Sequence, residues 1–548
     1  MPTAHDRRFG PGVRHRTGLA ATIAAALVLV GCAGGEGAGA DTGPDGHPAG
    51  GTLNVGYNED ATNYDPHQRP QLSARTVSRQ IADLLTEQDP QTGEILPWLA
   101  QDWEISDDVR EFTFHLREDV TFSDGTPLDA EAVKANFDRI IDIGPLAYVG
   151  AGLLRGYVES EVVDTHTVTV RFEEPNAQFL QATSTHSLSI LAPATLELDP
   201  EEVAAGEVIG SGPYVLDSYD PNAGIQLSVR EDYDWPSPIT ENTGRGHYDQ
   251  IDITFITEDT TLAGSLTSGQ VDYAYRLAGS SVPGVQGSDA VLVDTAMPAI
   301  AIPLVPLLHR DVVADERIRR ALSLATDREA IVNSAYQGLY NPASAVLTTT
   351  NPGHVDLTDE LRHDPAAAAD LLAEAGWSEV GQDGIRTNDD GERLSLEIQY
   401  ASGSDYETMF QLLQQQWADV GIEFVLTPVA DLSDYTIHDY PFDVSTWSQT
   451  RADPDVLRTV YSSFYENQSF LYGHADEDVD ALLHQLQSTV DAEERLAVSG
   501  QVQELLLERG YTVPLYDLVQ YAGHGADIDG VVTDIEGKPL FVDFHPAS

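Results

Sequence analysis

A chain of 548 residues, 41% of them hydrophobic, has the length for about two to four domains with buried cores. Its 89 acidic residues against 29 basic ones give a formal net charge of -60, and its only lysines are Lys134 and Lys538. That field repels nucleic acid and anionic headgroups, which excludes both as partners, and it fits a solvated, soluble surface.

In chain order, an export signal comes first. Arg7, Arg8, Arg14 and Arg16 precede the apolar run "LAATIAAALVLVG", residues 19–31, which is too short to span a bilayer comfortably. Cys32, the single cysteine, follows at once. One cysteine excludes an internal disulfide and a cysteine-ligated metal site. Leu29-Val30-Gly31-Cys32 resembles the bacterial lipobox. The resemblance implies that residues 1–31 are a lipoprotein signal peptide and that Cys32 carries a diacyl lipid, which anchors stably where one acyl chain would not. Residues 32–50 then form a Gly-rich flexible linker with a span of roughly 25 Å. No second apolar stretch reaches transmembrane length.

From residue 51 strands alternate with helices. "TLNVGYNE" alternates as a strand, and "SARTVSRQIADLLTE" sets Val77, Ile81, Leu84 and Leu85 on one helical face. "EFTFHLREDVTFSDGTP" gives two short strands closed by an Asp124-Gly125 turn. Asp129 caps a helix carrying Val133, Phe137 and Ile140, and "HTVTVRFEEP" is a further strand. "DPAAAADLLAEAGW" has Asp364 as N-cap, Pro365 in the first turn and Gly376 past the end. "LSLEIQY", the helix "TMFQLLQQQWADVG" and "IEFVLTPV" make a βαβ unit, which requires parallel pairing. The body is α/β, and its length calls for two lobes.

Residues 96–140, "LPWLAQDWEISDDVREFTFHLREDVTFSDGTPLDAEAVKANFDRI", resemble the signature region of the family 5 extracellular solute-binding proteins, the peptide-, nickel- and opine-type receptors of ABC importers. "GSGPYVL" at 210–216, "SLTSGQVDYAY" at 265–275, "DERIRRALSLATDREAIVNSAYQG" at 315–338 and "DPAAAADLLAEAGW" at 364–377 continue the match in order. "WADVGIEF" at 417–424, "WSQTRADPD" at 447–455 and "VPLYD" at 513–517 complete it. The resemblance implies a type II periplasmic-binding-protein-like fold of two hinge-linked lobes with an extra domain. The first lobe is expected over 51–295, with the extra domain at about 91–205, the second over 296–514, and C-terminal strands at 515–548 returning to the first. Most of these motifs serve the fold: "SDGTP" is a turn, and "DERIRRALSLA" is an amphipathic helix with Ile318, Leu322 and Ala325 inward.

In the family, the segment after the strand matched by "FDVSTW" reaches into the cleft. Peptide-binding members carry an acid three positions after the Trp, which pairs with the ligand's α-amino group. Here Trp447 is followed by Ser448, Gln449 and Thr450, so the acid is missing, and Arg451 stands beside it. Arg451 either faces the cleft, where it would meet a carboxylate or phosphate, or points to solvent. Asp453-Pro454 matches a downstream Asp-Pro that shapes the loop. Dipeptide-type members offer basic side chains after the strand matched by "LSLEIQY", whereas "YASGSDYETM", residues 400–409, has none. A less charged solute, a capped peptide or a sugar, fits these residues better, with Trp447, Tyr400 and Tyr406 able to stack on it. Ser402 and Asn58 complete the expected ligand-binding set.

Motifs for hydrolases, zinc proteases and nucleotide loops are missing, so no enzyme activity, cofactor or resident metal is expected. "GHADEDVDALLHQ", residues 473–485, places His474 near acids, but it reads as a helix capped by Asp476 with Val479, Leu482 and Leu483 inward. The expected protein is a monomeric, lipid-anchored receptor on the outer face of the cytoplasmic membrane. It captures a peptide or peptide-like solute and delivers it to ABC permease subunits. Alternatives are a sugar, oligosaccharide or metal-chelate receptor, a lipoprotein turned to signalling or cell-wall contact, and, less favoured, a hydrolase on this scaffold.

Overall fold

The structure is a computed structural model, which describes residues 43, 46–68, 71–402, 406–430, 440–465 and 469–547. The segment expected to be an export signal and Cys32 lie outside the described residues. Asp41–Ser548 forms one compact unit.

Leu53, Val55 and Tyr57 are fully buried along the strand Thr52–Tyr57, as their alternation predicts. This strand is central to a seven-stranded sheet. Gln250–Phe255 and Tyr273–Leu277 flank it, both parallel. Gly224–Val229 and Tyr214–Asp220 extend one side, and Val519–His524 and Val291–Ala296 the other, each antiparallel to its neighbour. The C-terminal strand thus returns to the first sheet.

The helix Leu72–Ile81 lays Ala74, Val77 and Ile81 against this sheet. It is shorter than its apolar pattern predicts, because Ala82 is already extended. The "GSGPYVL" segment supplies the reason. Gly212 N–H donates to the Ile81 carbonyl at 3.0 Å, and a Cβ on Gly210 would collide with that same oxygen. Tertiary contact therefore ends the helix, and Leu84 and Leu85 lie past it.

A second layer carries a four-stranded antiparallel sheet, in the order Ala100–Ile105, Glu111–Leu116, Thr167–Phe172 and Tyr157–Asp164. The helix Ala130–Ile143, capped by Asp129 on Ala132 N–H, covers it with Val133, Phe137 and Ile140. Asp83 sits at the joint with the central sheet. Its Oδ1 accepts from Tyr233 at 3.3 Å and its Oδ2 from Trp235 Nε1 at 2.9 Å. Burial still pushes this carboxyl up to about 6 from 3.8. A raised carboxyl favours the folded chain only while protonated, so its contribution is full below pH 3.8 and lost as pH rises to about 6. Asp83→Asn, neutral throughout, is expected to compare better with wild type near pH 7 than near pH 4. Melting curves at the two pH values check this.

The second lobe centres on a sheet in the order Asn341–Pro342, Val513–Asp517, Ile302–Pro306 and Val444–Ser445. Beside it, Ser395–Ala401 and Glu423–Val429 pair in parallel around the helix Glu407–Asp419, the expected βαβ unit. Ile318, Leu322 and Ala325 are buried, and Asp476 caps the helix Glu477–Ser488 as read from sequence. The chain passes between the two sheets at 297–301 and again at Leu518.

Candidate functional site

The segment 447–451 leaves the strand Val444–Ser445 and runs along the first of these crossovers. Arg451 N–H donates to the Pro298 carbonyl at 2.8 Å, and Ile300 N–H to the Gln449 carbonyl at 3.1 Å. Ser448 Oγ adds a bond to the Ile300 carbonyl at 2.6 Å. Thr450 bridges Ala299 in antiparallel register. The backbone of the segment is therefore tied to the crossover.

Those side chains form one wall of a cavity of about 210 Å³. Trp447, Ser448, Gln449, Thr450 and Arg451 face Leu72 and Arg75 of the first helix, Tyr148, Val149 and Leu153, the turn 185–187, and Glu536 near the C-terminus. Segments from either side of the crossovers thus line the cavity together. Further contacts cross the boundary beside it: Gln88 Nε2 donates to the Ala452 carbonyl at 2.8 Å, and Ala177 N–H to the Gln487 carbonyl at 2.9 Å. The volume lies below the range of about 300–1,000 Å³ usual for drug-sized ligands, which suits a small solute.

Arg451 is 6% exposed, so of its two alternatives the structure takes the inward one. Its Nη1 donates across the lobe boundary to Gln178 Oε1 at 3.0 Å and, within its own lobe, to Thr459 Oγ1 at 3.2 Å. Burial lowers its pKa, opposed by the nearby Asp455 and Asp453. Both acids are already engaged by other guanidinium groups. Arg458 grips Asp455 at 2.7 and 2.9 Å, and Arg495 grips Asp453 at 2.7 and 2.9 Å. On the opposite wall, Arg75 Nη1 stands 3.5 Å from Glu536, while its Nε is buried without a hydrogen-bond partner. Glu536 is held more closely by Lys538, at 2.7 Å. Gln449 Oε1 is likewise buried without a partner.

Four of the residues singled out in the sequence, Trp447, Gln449, Thr450 and Arg451, share this wall. Three do not. Tyr400 is a core residue, 5% exposed with its ring 5.0 Å from Phe410, because its strand position faces the inner side of the βαβ unit. Ser402 is exposed and spends its hydroxyl on the Val429 carbonyl at 3.0 Å. Asn58 follows the central strand, and its Oδ1 is buried without a partner, away from the cavity wall. Tyr406 packs at 6.0 Å from Phe410. Sequence reading missed Arg75, Tyr148, the turn 185–187 and Glu536, since their positions depend on how distant segments meet. One signal was available: Lys538 is one of only two lysines, and it stands two residues from Glu536.

The family model described as "Bacterial extracellular solute-binding proteins, family 5 Middle" matches residues 94–470. The chain belongs to this family. A family 5 protein of this kind is a solute-binding component of an ABC importer, not an enzyme, and it works outside the cytoplasm. The family takes peptides and related ligands. This family 5 chain is 26% identical over 501 residues to heme-binding protein A of Haemophilus influenzae, covering 86% of this chain and 87% of that one. It is 24% identical over 477 residues to the probable D,D-dipeptide-binding periplasmic protein DdpA of Escherichia coli, covering 83% and 85%. The crystal structure of NikA from Brucella suis in complex with Fe(III)-EDTA superimposes with a TM-score of 0.78 at 24% identity, covering 91% of this chain and all of that one. That structure shares the two-lobed fold. Among the described residues, no helix is long and apolar enough to cross a membrane.

Proposed function

We propose that this protein is a receptor lipoprotein, tethered through Cys32 to the outer face of the cytoplasmic membrane, which captures a peptide or peptide-like solute between its lobes and hands it to an ABC permease. The observation that carries the reading is the small cavity walled by both lobes, with the segment 447–451 on one side. A solute touching both walls favours the closed form, as transfer to a permease requires. Thr450 stands where peptide-binding relatives have an acid, so peptides with blocked or otherwise uncharged N-termini are the preferred class. A second reading, an anionic metal chelate, is supported by Arg75 and Arg451 in the wall and by the chelate bound to the similar NikA.

A thermal-shift panel tests this reading, with short peptides of free and blocked termini, oligosaccharides, and nickel with and without chelators. A ligand at 100 times its Kd adds about 2.7 kcal/mol to the folded state, a readable rise in Tm. Blocked peptides are expected to raise Tm more than free-amine ones. Response to oligosaccharides alone, or to chelates alone, replaces the peptide reading. The anchor is tested separately: Cys32→Ala is expected to move the protein from the membrane fraction to the soluble one.

A further inference from the structure

We infer that Arg451 is the anchor for an oxyanion of the solute, a carboxylate or a phosphate. This rests on reading the cavity as the solute site and adds the charge class to it. Charge is unbalanced in the cluster around Arg451. Three guanidinium groups, Arg451, Arg458 and Arg495, meet two carboxylates, Asp453 and Asp455. Each carboxylate is taken by a two-pronged pair, Asp455 with Arg458 and Asp453 with Arg495. Among the described residues no carboxylate lies within ion-pair distance of Arg451, whose Nη1 has only neutral acceptors, Gln178 and Thr459.

A buried cation whose direct hydrogen bonds all go to neutral groups is costly, even with Asp455 and Asp453 nearby, and a chain with 89 acidic residues has no shortage of carboxylates to supply. The surplus charge belongs to the one arginine of the three that lines the cavity. A planar guanidinium there matches an oxyanion in two-pronged geometry. The remaining wall agrees. Its only carboxylate is Glu536, already neutralised by Lys538, while Arg75 Nε is buried and unpartnered. Gln449 Oε1, two residues from Arg451, is an unused acceptor for an N–H of the same solute.

The test measures binding to wild-type protein, Arg451→Gln and Arg451→Lys by calorimetry and thermal shift. The probes are N-acetyl-Ala-Phe against its C-terminal amide, glycerol phosphate against glycerol, and Fe(III)-EDTA. Expected is at least a tenfold preference of wild type for an anionic probe over its neutral partner. Arg451→Gln should lose that preference and Arg451→Lys keep part of it. Unliganded Arg451→Gln should melt no lower than wild type, since it sheds a surplus charge. A carboxylate or phosphate response identifies which oxyanion is held. Binding of glycerol phosphate or Fe(III)-EDTA that depends on Arg451, with all dipeptides inert, overturns the peptide reading and upholds this one. Equal binding of acid and amide overturns this inference and leaves the peptide reading standing. It is also overturned if no anionic probe favours wild type over Arg451→Gln, or if unliganded Arg451→Gln melts several degrees lower.

Discussion

Replacing Lys538 by methionine is expected to destabilise the protein by about 3–5 kcal/mol, read as a lower urea midpoint at unchanged slope. Lys538 is 2% exposed, with its ammonium 2.7 Å from Glu536 and 3.1 Å from Asp534. Burial alone would lower its pKa, but the two acids outweigh burial and hold it above the usual lysine value. The pair belongs to a larger buried network. Arg75 reaches Glu536, and Arg79 reaches both Asp534 and Glu87, so three cations face three carboxylates. Methionine fills a similar volume and leaves two buried acids short of one positive charge. Uncompensated charge in an apolar surround is the expensive state, more than the loss of attraction itself. Burial would raise Glu536, yet Lys538, Arg75 and His186 bring it down to about 2 from 4.5. Its contribution is therefore full above pH 4.5 and lost as pH falls to about 2. The penalty of Lys538→Met should accordingly shrink in acid, where the stranded carboxylates take up protons.

Asp455→Asn is expected to lower stability by about 3–5 kcal/mol while tightening the grip on an anionic probe. Asp455 is fully buried and receives both prongs of Arg458. The amide keeps the shape but removes the charge, leaving three guanidinium groups with Asp453 alone. The folded protein pays for that imbalance in the unliganded state, and an oxyanion beside Arg451 relieves it. Urea denaturation with and without N-acetyl-Ala-Phe checks both halves. The midpoint should fall in buffer, and the shift on adding the probe should exceed that of wild type. A fall in stability with no gain in probe response would place Asp455 in the frame alone.

Local rules carried the sequence reading a long way in this chain. Asp129, Asp364 and Asp476 cap the helices assigned to them, and the βαβ unit of 395–429 pairs in parallel. In each case the information lies within a few residues, in side-chain capping or in hydrophobic period. The reading failed where distant segments decide. The first helix stops at Ile81 because Gly210 and Gly212 press backbone against it, which no apolar pattern over 73–87 reveals. Tyr400 belongs to the core because alternation along Ser395–Ala401 places it with Leu396 and Ile398. That alternation is visible in the sequence, and it outweighs the capacity of an aromatic ring to stack on a ligand. The cavity wall was half legible: 447–451 is contiguous and carries a family motif, whereas Arg75, Tyr148 and Glu536 come from three separated stretches.

Under the proposed function, with the crossover at 297–301 as the pivot, the lacing of 447–451 to 298–300 would make the solute-contacting wall and the pivot a single mechanical part. Motion of the crossover would then carry the Arg451 backbone with it, so opening the pivot would also displace the wall. On this reading, how long a captured molecule dwells would be governed partly by residues outside the cavity wall, Pro298 and Ile300 among them. A looser pivot would shorten that dwell time and leave the arrival rate largely unchanged, because most tuning of affinity falls on departure.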